Sequence, residues 1–162
     1  MKIKAAVLNA MGAASPYATS RPLTIETVEL APPGIGEVMI KVVAAGLCHS
    51  DLSVINGDRP RPMPMALGHE AAGIVHQLGE GVTDLKVGDH VVVVFVPSCG
   101  HCAPCAEGRP ALCEPGAAAN GAGTLLLVRA ASRTSATPSS RSTITSAARC
   151  SPNTPRCRAT RW

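Results

Sequence analysis

The chain has 162 residues, room for about one domain. Hydrophobic residues make up 46% but aromatics only 2%, so Val, Ile, Leu and Ala must fill the core, and no run approaches the roughly 18 apolar residues of a membrane-spanning helix. The net charge of +4 hides a division: residues 1–128 carry all eleven acids with eight Lys and Arg, whereas the seven arginines from Arg129 to Arg161 have no acidic neighbour.

Short apolar or alternating runs, cut by turn signals, fill the text as far as residue 96. Ile3–Leu8 predicts a first strand; the apolar stretch it opens is broken by Asn9 and Gly12, too short for an export signal, so a cytoplasmic location is expected. Leu23, Ile25, Val28 and Leu30 mark a second strand. Val38, Ile40 and Val42 alternate with polar and long side chains in a third, after the turn-rich Ala31–Gly36. Ser50–Gly57 predicts a short helix, with Ser50 as its N-cap and Asn56-Gly57 as its stop. Three prolines between Asp58 and Met65 predict an irregular loop. Gly73–Leu78 predicts a fourth strand, and the β-branched run Val91–Val96 a buried fifth. Many short strands with Gly, Pro and Asp turns predict a mainly β unit, a barrel or a sandwich.

Four cysteines then fall within fifteen residues: Cys99, Cys102, Cys105 and Cys113, separated by two, two and seven others. Thiolates this close converge on one ion with little loop entropy to lose. Gly100, Pro104, Gly108 and Pro110 between them supply tight turns. A closed Cys₄ set with no open position suits a structural zinc. Two alternatives stand: disulfides, which a cytosolic chain disfavours, and an iron–sulfur cluster, whose bacterial run has three rather than seven residues before its fourth cysteine.

Beyond Pro115 the composition changes. Leu125–Val128 is the last aliphatic run, and from Ala131 onward Ile144 is the sole large aliphatic among Ser, Thr, Arg, Ala and Pro. Residues 118–162 are therefore expected to be a disordered tail, and Cys150 and Cys157 bystander thiols. Its arginines attract polyanions only non-specifically, so no specific nucleic-acid or membrane partner is expected. Arg/Ser/Thr/Pro-rich text without an acid is also what a GC-rich gene gives when read out of frame, which is the expectation for residues from about 125.

Two further stretches carry candidate chemistry. Gly46-Leu-Cys48-His-Ser-Asp51 lines up a thiol, an imidazole, a hydroxyl and a carboxylate, and Gly68-His69-Glu70 adds an imidazole and a carboxylate. Taken with Gly73-Ile-Val, Val87-Gly-Asp-His-Val91 and the Cys₄ lobe, these motifs resemble, in order and spacing, the N-terminal half of the zinc-dependent medium-chain alcohol dehydrogenases.

The resemblance covers about residues 1–117 and implies a GroES-like β-barrel with a structural-zinc lobe at 97–115. It implies oxidation of a small alcohol to an aldehyde or ketone by hydride transfer to NAD or NADP, in a homo-oligomer. By position, Cys48 and His69 correspond to two ligands of a catalytic zinc, and Cys99, Cys102, Cys105 and Cys113 to those of the structural one. Ser50 corresponds to the hydroxyl that accepts the alcohol proton, Asp51 to the carboxylate orienting His69, Glu70 to a carboxylate near the zinc, and His49 to a basic residue facing the cofactor pyrophosphate. The family's third catalytic ligand, a downstream cysteine, has no counterpart in a suitable context, and no Gly-x-Gly-x-x-Gly marks a Rossmann domain. The chain on its own is therefore expected to be inactive, with a non-enzymatic zinc module and an iron–sulfur carrier as the alternative functions.

Overall fold

The computed structural model describes residues 1–126 and the backbone of residues 143–144. Two open sheets form the framework. The first is built on β1 (Lys2–Leu8) and β2 (Leu23–Glu29), antiparallel over their whole length from Lys2↔Glu29 to Leu8↔Leu23. Between them lies a four-residue helix, α1 (Tyr17–Ser20), which the sequence did not announce. The other edge of β1 takes the short β4 (Met65–Ala66), pairing Leu8 with Met65, and β4 in turn pairs in parallel with β7 (Thr143–Ile144). The second sheet has the order β3 (Val38–Ala45), β5 (Ala71–Leu78), β6 (His90–Val92), all antiparallel.

The expected mainly β architecture is present, but among the described residues the strands do not close into a barrel: two separate sheets replace it. The predicted buried strand Val91–Val96 is also corrected. Pairing with β5 runs only to Val92, with one further bond from the Val93 N–H to the Ala71 carbonyl, and Val92 and Val94 are 69% and 46% exposed. A continuous β-branched run is buried only if both of its faces are covered, and here the sheet ends at this strand.

The core sits under β1. Leu8, Val54, Ile55 and Met65 form its buried centre, with Met11, Tyr17, Leu23, Met63 and Leu67 packed around them. Val54 and Ile55 come from α2 (His49–Ile55), whose last turn is fastened by the Gly12 N–H to the Ile55 carbonyl at 2.8 Å. Adjacent positions of a helix project into one core here because the turn after β1 wraps around the helix end. In this way the apolar end of α2 is fixed in the core while its first turn is left at the edge of the second sheet.

Sheet β3-β5 brings the next motif to that same place. Its register slips at Met39/Ile40 and at Val42/Ala44. Gly73, opposite Val42, allows the slip: a Cβ there would lie 2.7 Å from the Lys41 carbonyl oxygen. The chain entering β5 is held by the Gly46 N–H to the Glu70 carbonyl at 2.8 Å. Past β6 the chain winds through α3 (Ala103–Ala106), a 3₁₀ turn η1 (Pro110–Leu112) and α4 (Glu114–Ala122). Among the described residues no helix is long and apolar enough to cross a membrane.

Candidate metal centres

Two clusters of metal-ligating side chains form. In the first, the Sγ atoms of Cys99, Cys102, Cys105 and Cys113 all lie within 4.8 Å of one another, as the spacing predicts. The Cys102 and Cys113 sulfurs are 3.9 Å apart, beyond the roughly 2.05 Å of a disulfide, and all five described cysteines are free thiols. Cys150 and Cys157 lie outside the described residues.

Backbone donors point at these sulfurs. Cys113 accepts from the N–H of Cys99 at 3.2 Å and of Gly116 at 3.3 Å, and Cys99 accepts from the N–H of Cys102 at 3.3 Å. Such bonds favour the thiolate, the form a metal needs. Burial opposes charge on Cys99, but the N–H groups of His101 and Cys102 and the neighbouring thiols outweigh it and bring that thiol down to about 6. On Cys113 burial prevails and pushes the thiol up to about 12, and burial also raises Cys105. A lowered Cys99 beside a raised Cys105 and a raised Cys113 is what crowding thiols together without a cation produces. A divalent ion removes that conflict, so the donor set fits zinc.

Gly116 is required by this packing. A Cβ at that position would collide with the Pro97 carbonyl oxygen and lie 3.2 Å from the Cys113 sulfur. The helix that carries it, α4, is capped by the Cys113 sulfur itself and ends at Gly123 in the left-handed conformation, φ 66°.

The second cluster unites Cys48, His69 and Glu70, whose ligating atoms also lie within 4.8 Å of one another. Cys48 is the N-cap of α2, correcting the expectation that Ser50 would cap it; Ser50 is the second helical residue. That shift by two positions gives each residue its task. Asp51, at the third helical position, accepts the Cys48 N–H through Oδ2 at 3.3 Å and holds His69 Nδ1 with Oδ1 at 3.2 Å. One carboxylate thus closes the capping box and orients the imidazole. With Nδ1–H given to Asp51, the nitrogen left with a lone pair is Nε2. The Ser50 hydroxyl stands 3.1 Å from it. His69 is buried, while Glu70 is exposed beside Gly46, where a Cβ would lie 2.9 Å from the Glu70 carboxylate. His49 opens the helix on the exposed side and is not drawn into the cluster.

A cysteine sulfur, an oriented imidazole and a nearby carboxylate are donor types that suit a borderline-soft ion such as zinc, and three donors leave a position open. The wall beyond is formed by residues the sequence did not single out. Phe95 packs edge-on against His69, ring centroids 4.8 Å apart, and the Arg59 guanidinium lies over the Phe95 ring, 5.4 Å from its centroid. Asn120 of α4 donates to the Phe95 carbonyl at 2.8 Å and accepts from Arg61 at 2.9 Å. A cavity runs between them, lined by Ser50, Asp51, His69 and Phe95 and also by Arg59 and Arg61. No spacing rule marks these contacts, because each joins elements far apart in the chain.

Known proteins share both the pattern and the fold. The alcohol dehydrogenase GroES-like domain family matches residues 34–140. An NDMA-dependent alcohol dehydrogenase of Amycolatopsis methanolica is 50% identical over 117 residues, 72% of this chain and 29% of its own length. Among solved structures, the benzyl alcohol dehydrogenase from Acinetobacter calcoaceticus superposes with a TM-score of 0.67 at 38% identity, covering 77% of this chain and 32% of that one. The cobalt- and zinc-bound thermostable alcohol dehydrogenase from Pyrobaculum aerophilum gives 0.63 at 36% identity, covering 72% and 33%. The chain thus spans about a third of the length of these relatives. By its motifs and its fold it belongs to the zinc-dependent medium-chain alcohol dehydrogenases, as their GroES-like domain.

Proposed function

We propose that this chain supplies the metal-holding and alcohol-binding part of a zinc-dependent alcohol dehydrogenase. Cys48 and His69, with Glu70 beside them, hold a catalytic zinc; Cys99, Cys102, Cys105 and Cys113 hold a structural one. The observation that carries this reading is the chain of contacts Cys48–Asp51–His69–Ser50, which fixes one ligand, orients the other and sets a hydroxyl beside it. A zinc held there would supply Lewis-acid polarisation of an alcohol oxygen, and NAD or NADP would supply the hydride acceptor.

The chain's own residues do the rest. Asp51 accepts from His69 Nδ1 and so holds the imidazole turned, leaving Nε2 as the nitrogen free to ligate. Ser50 Oγ takes the alcohol's proton and passes its own toward solvent, and Phe95 with Leu67 keeps the reacting side apolar. His49, exposed at the start of α2, is available to an anionic cofactor group. The domain is assigned to residues 1–117, with the lobe at 97–115. The partners proposed are a small alcohol or aldehyde and further copies in a homo-oligomer, in the cytoplasm.

Cobalt substitution tests the reading. Cobalt in the Cys48/His69 site is expected to change its visible absorption on addition of trifluoroethanol, a non-oxidised alcohol, while the Cys₄ cobalt does not respond. A response that survives Cys48→Ala, or none at all, contradicts it.

A further inference from the structure

The cavity beside the second cluster carries a charge the alcohol chemistry does not use. Arg59 and Arg61 both line it, together with Ser50 and His69. Neither guanidinium has a carboxylate within ion-pairing distance among the described residues: the ion pair formed there is His69 with Asp51. Asp51 is committed to His69 and to the Cys48 N–H, and the Asp58 carboxylate accepts from Asn56 at 2.7 Å. The arginines repel each other, and burial with the Arg59 charge lowers Arg61 below its ordinary range.

Both are nevertheless held in place. The Arg59 backbone N–H binds the Ser53 carbonyl at 2.8 Å, and its guanidinium lies over Phe95 one ring away from the His69 imidazole. Arg61 donates through one Nη to the Asn120 Oδ1 from α4 at 2.9 Å and through the other to the Pro60 carbonyl at 3.4 Å, which leaves the Nε–H and one N–H of each Nη for a ligand. Two like charges positioned without a counter-charge, in a cavity that ends on a candidate catalytic centre, are a receptor for an anion.

We propose that Arg59 and Arg61 form an oxyanion clamp and that the substrate is an alcohol or aldehyde bearing a carboxylate or phosphate at the end remote from the reacting carbon. The proposal deepens the dehydrogenase reading and rests on it for the reacting end only; the clamp itself needs no zinc.

The test separates the two. In the full chain with Cys48→Ala, whose Cys₄ lobe stays loaded while the second site is lost, no ligand can bind through a catalytic metal. Binding of 4-hydroxybutanoate, 4-hydroxybutyl phosphate and butane-1,4-diol is measured by calorimetry and by the Nε–Hε resonances of the two arginines. At least one anion is expected to bind about tenfold or more tightly than the diol, the size of one charge-assisted hydrogen bond. The tighter of the two identifies the group. The Arg59 and Arg61 resonances shift, and the preference fades with added salt and in Arg59→Gln and Arg61→Gln, with Lys restoring it in part. Should the Gln variants not fold, the salt dependence and resonance shifts of the unmodified arginines decide. Equal binding of diol and anions, or a preference indifferent to salt, overturns the clamp. Loss of any zinc-dependent gain for butane-1,4-diol in the unmodified chain instead contradicts the dehydrogenase reading and leaves the clamp standing.

Discussion

Asp51 is the residue on which the second cluster turns, because its two oxygens serve two different elements. Oδ2 closes the start of α2 on Cys48, and Oδ1 sets the ring of His69, which arrives from the other side of the loop before β5. Asp51→Asn keeps the shape and removes the charge that favours Nδ1–H. It is expected to weaken metal binding at Cys48/His69 by about 10- to 100-fold, read by competition with a chromophoric chelator, with the Cys₄ lobe unchanged. Equal loss at both sites would show general unfolding instead. At Gly46 the expectation is steric. A methyl group 2.9 Å from the Glu70 carboxylate must push it aside, so Gly46→Ala is expected to alter the second site while sparing the first.

At the scale of elements, the lobe is wound around its own ligands. Cys113 ends η1, caps α4 and receives two N–H groups. Gly116→Ala, which drives a Cβ into the Pro97 carbonyl, is expected to release lobe zinc at lower chelator concentration and to destabilise the fold by more than 1 kcal/mol, checked by denaturant unfolding. Leu8→Ala, in the fully buried centre, is expected to cost about 2–5 kcal/mol with both metal sites retained in the folded fraction.

What the sequence shows at this scale follows from range. Strands β1, β2, β3 and β5 and the Cys₄ set are readable from local signals, apolar runs and short Cys spacing, whereas the two-residue β4 falls where a loop was expected and the Cys48/His69 pair is legible only through the family resemblance. Helix α4 is not, although Glu114, Pro115 and Gly123 are its start and stop marks; its Ala/Gly-rich interior has no apolar periodicity to read. The cap of α2 is displaced to Cys48 because a thiol can do what Ser50 was expected to do, and that releases Ser50 to His69. The exposure of Val92 and Val94 is illegible in principle, since it depends on which strands lie beside them. The expectation of a disordered tail from residue 118 is corrected at its start, where α4 continues to Ala122 and is anchored through Asn120 to Phe95 and Arg61; beyond residue 126, apart from the backbone of residues 143–144, it lies outside the described residues, as does the proposed change of reading frame.

For the whole molecule the two candidate metal sites are not equivalent. The Cys₄ lobe is complete within fifteen residues, whereas the second cluster joins α2 to the approach to β5, elements of both sheets' surroundings. Removal of zinc from the lobe should therefore loosen α4 and, through Asn120, the Phe95 and Arg61 contacts of the other site. Exposed Val42, Val43, Leu47, Val92 and Val94 place an apolar surface on and beside the β3-β5-β6 sheet, which favours association in isolation. The two-site arrangement is tested most directly by the zinc content of the purified chain, read by native mass spectrometry with Cys48→Ala, His69→Ala and Cys102→Ala alongside. Two zinc ions are expected in the unmodified chain, one in each single variant, and an independent loss of both in the double variant Cys48→Ala/Cys102→Ala. A single zinc in the unmodified chain that Cys48→Ala and His69→Ala leave untouched would contradict it.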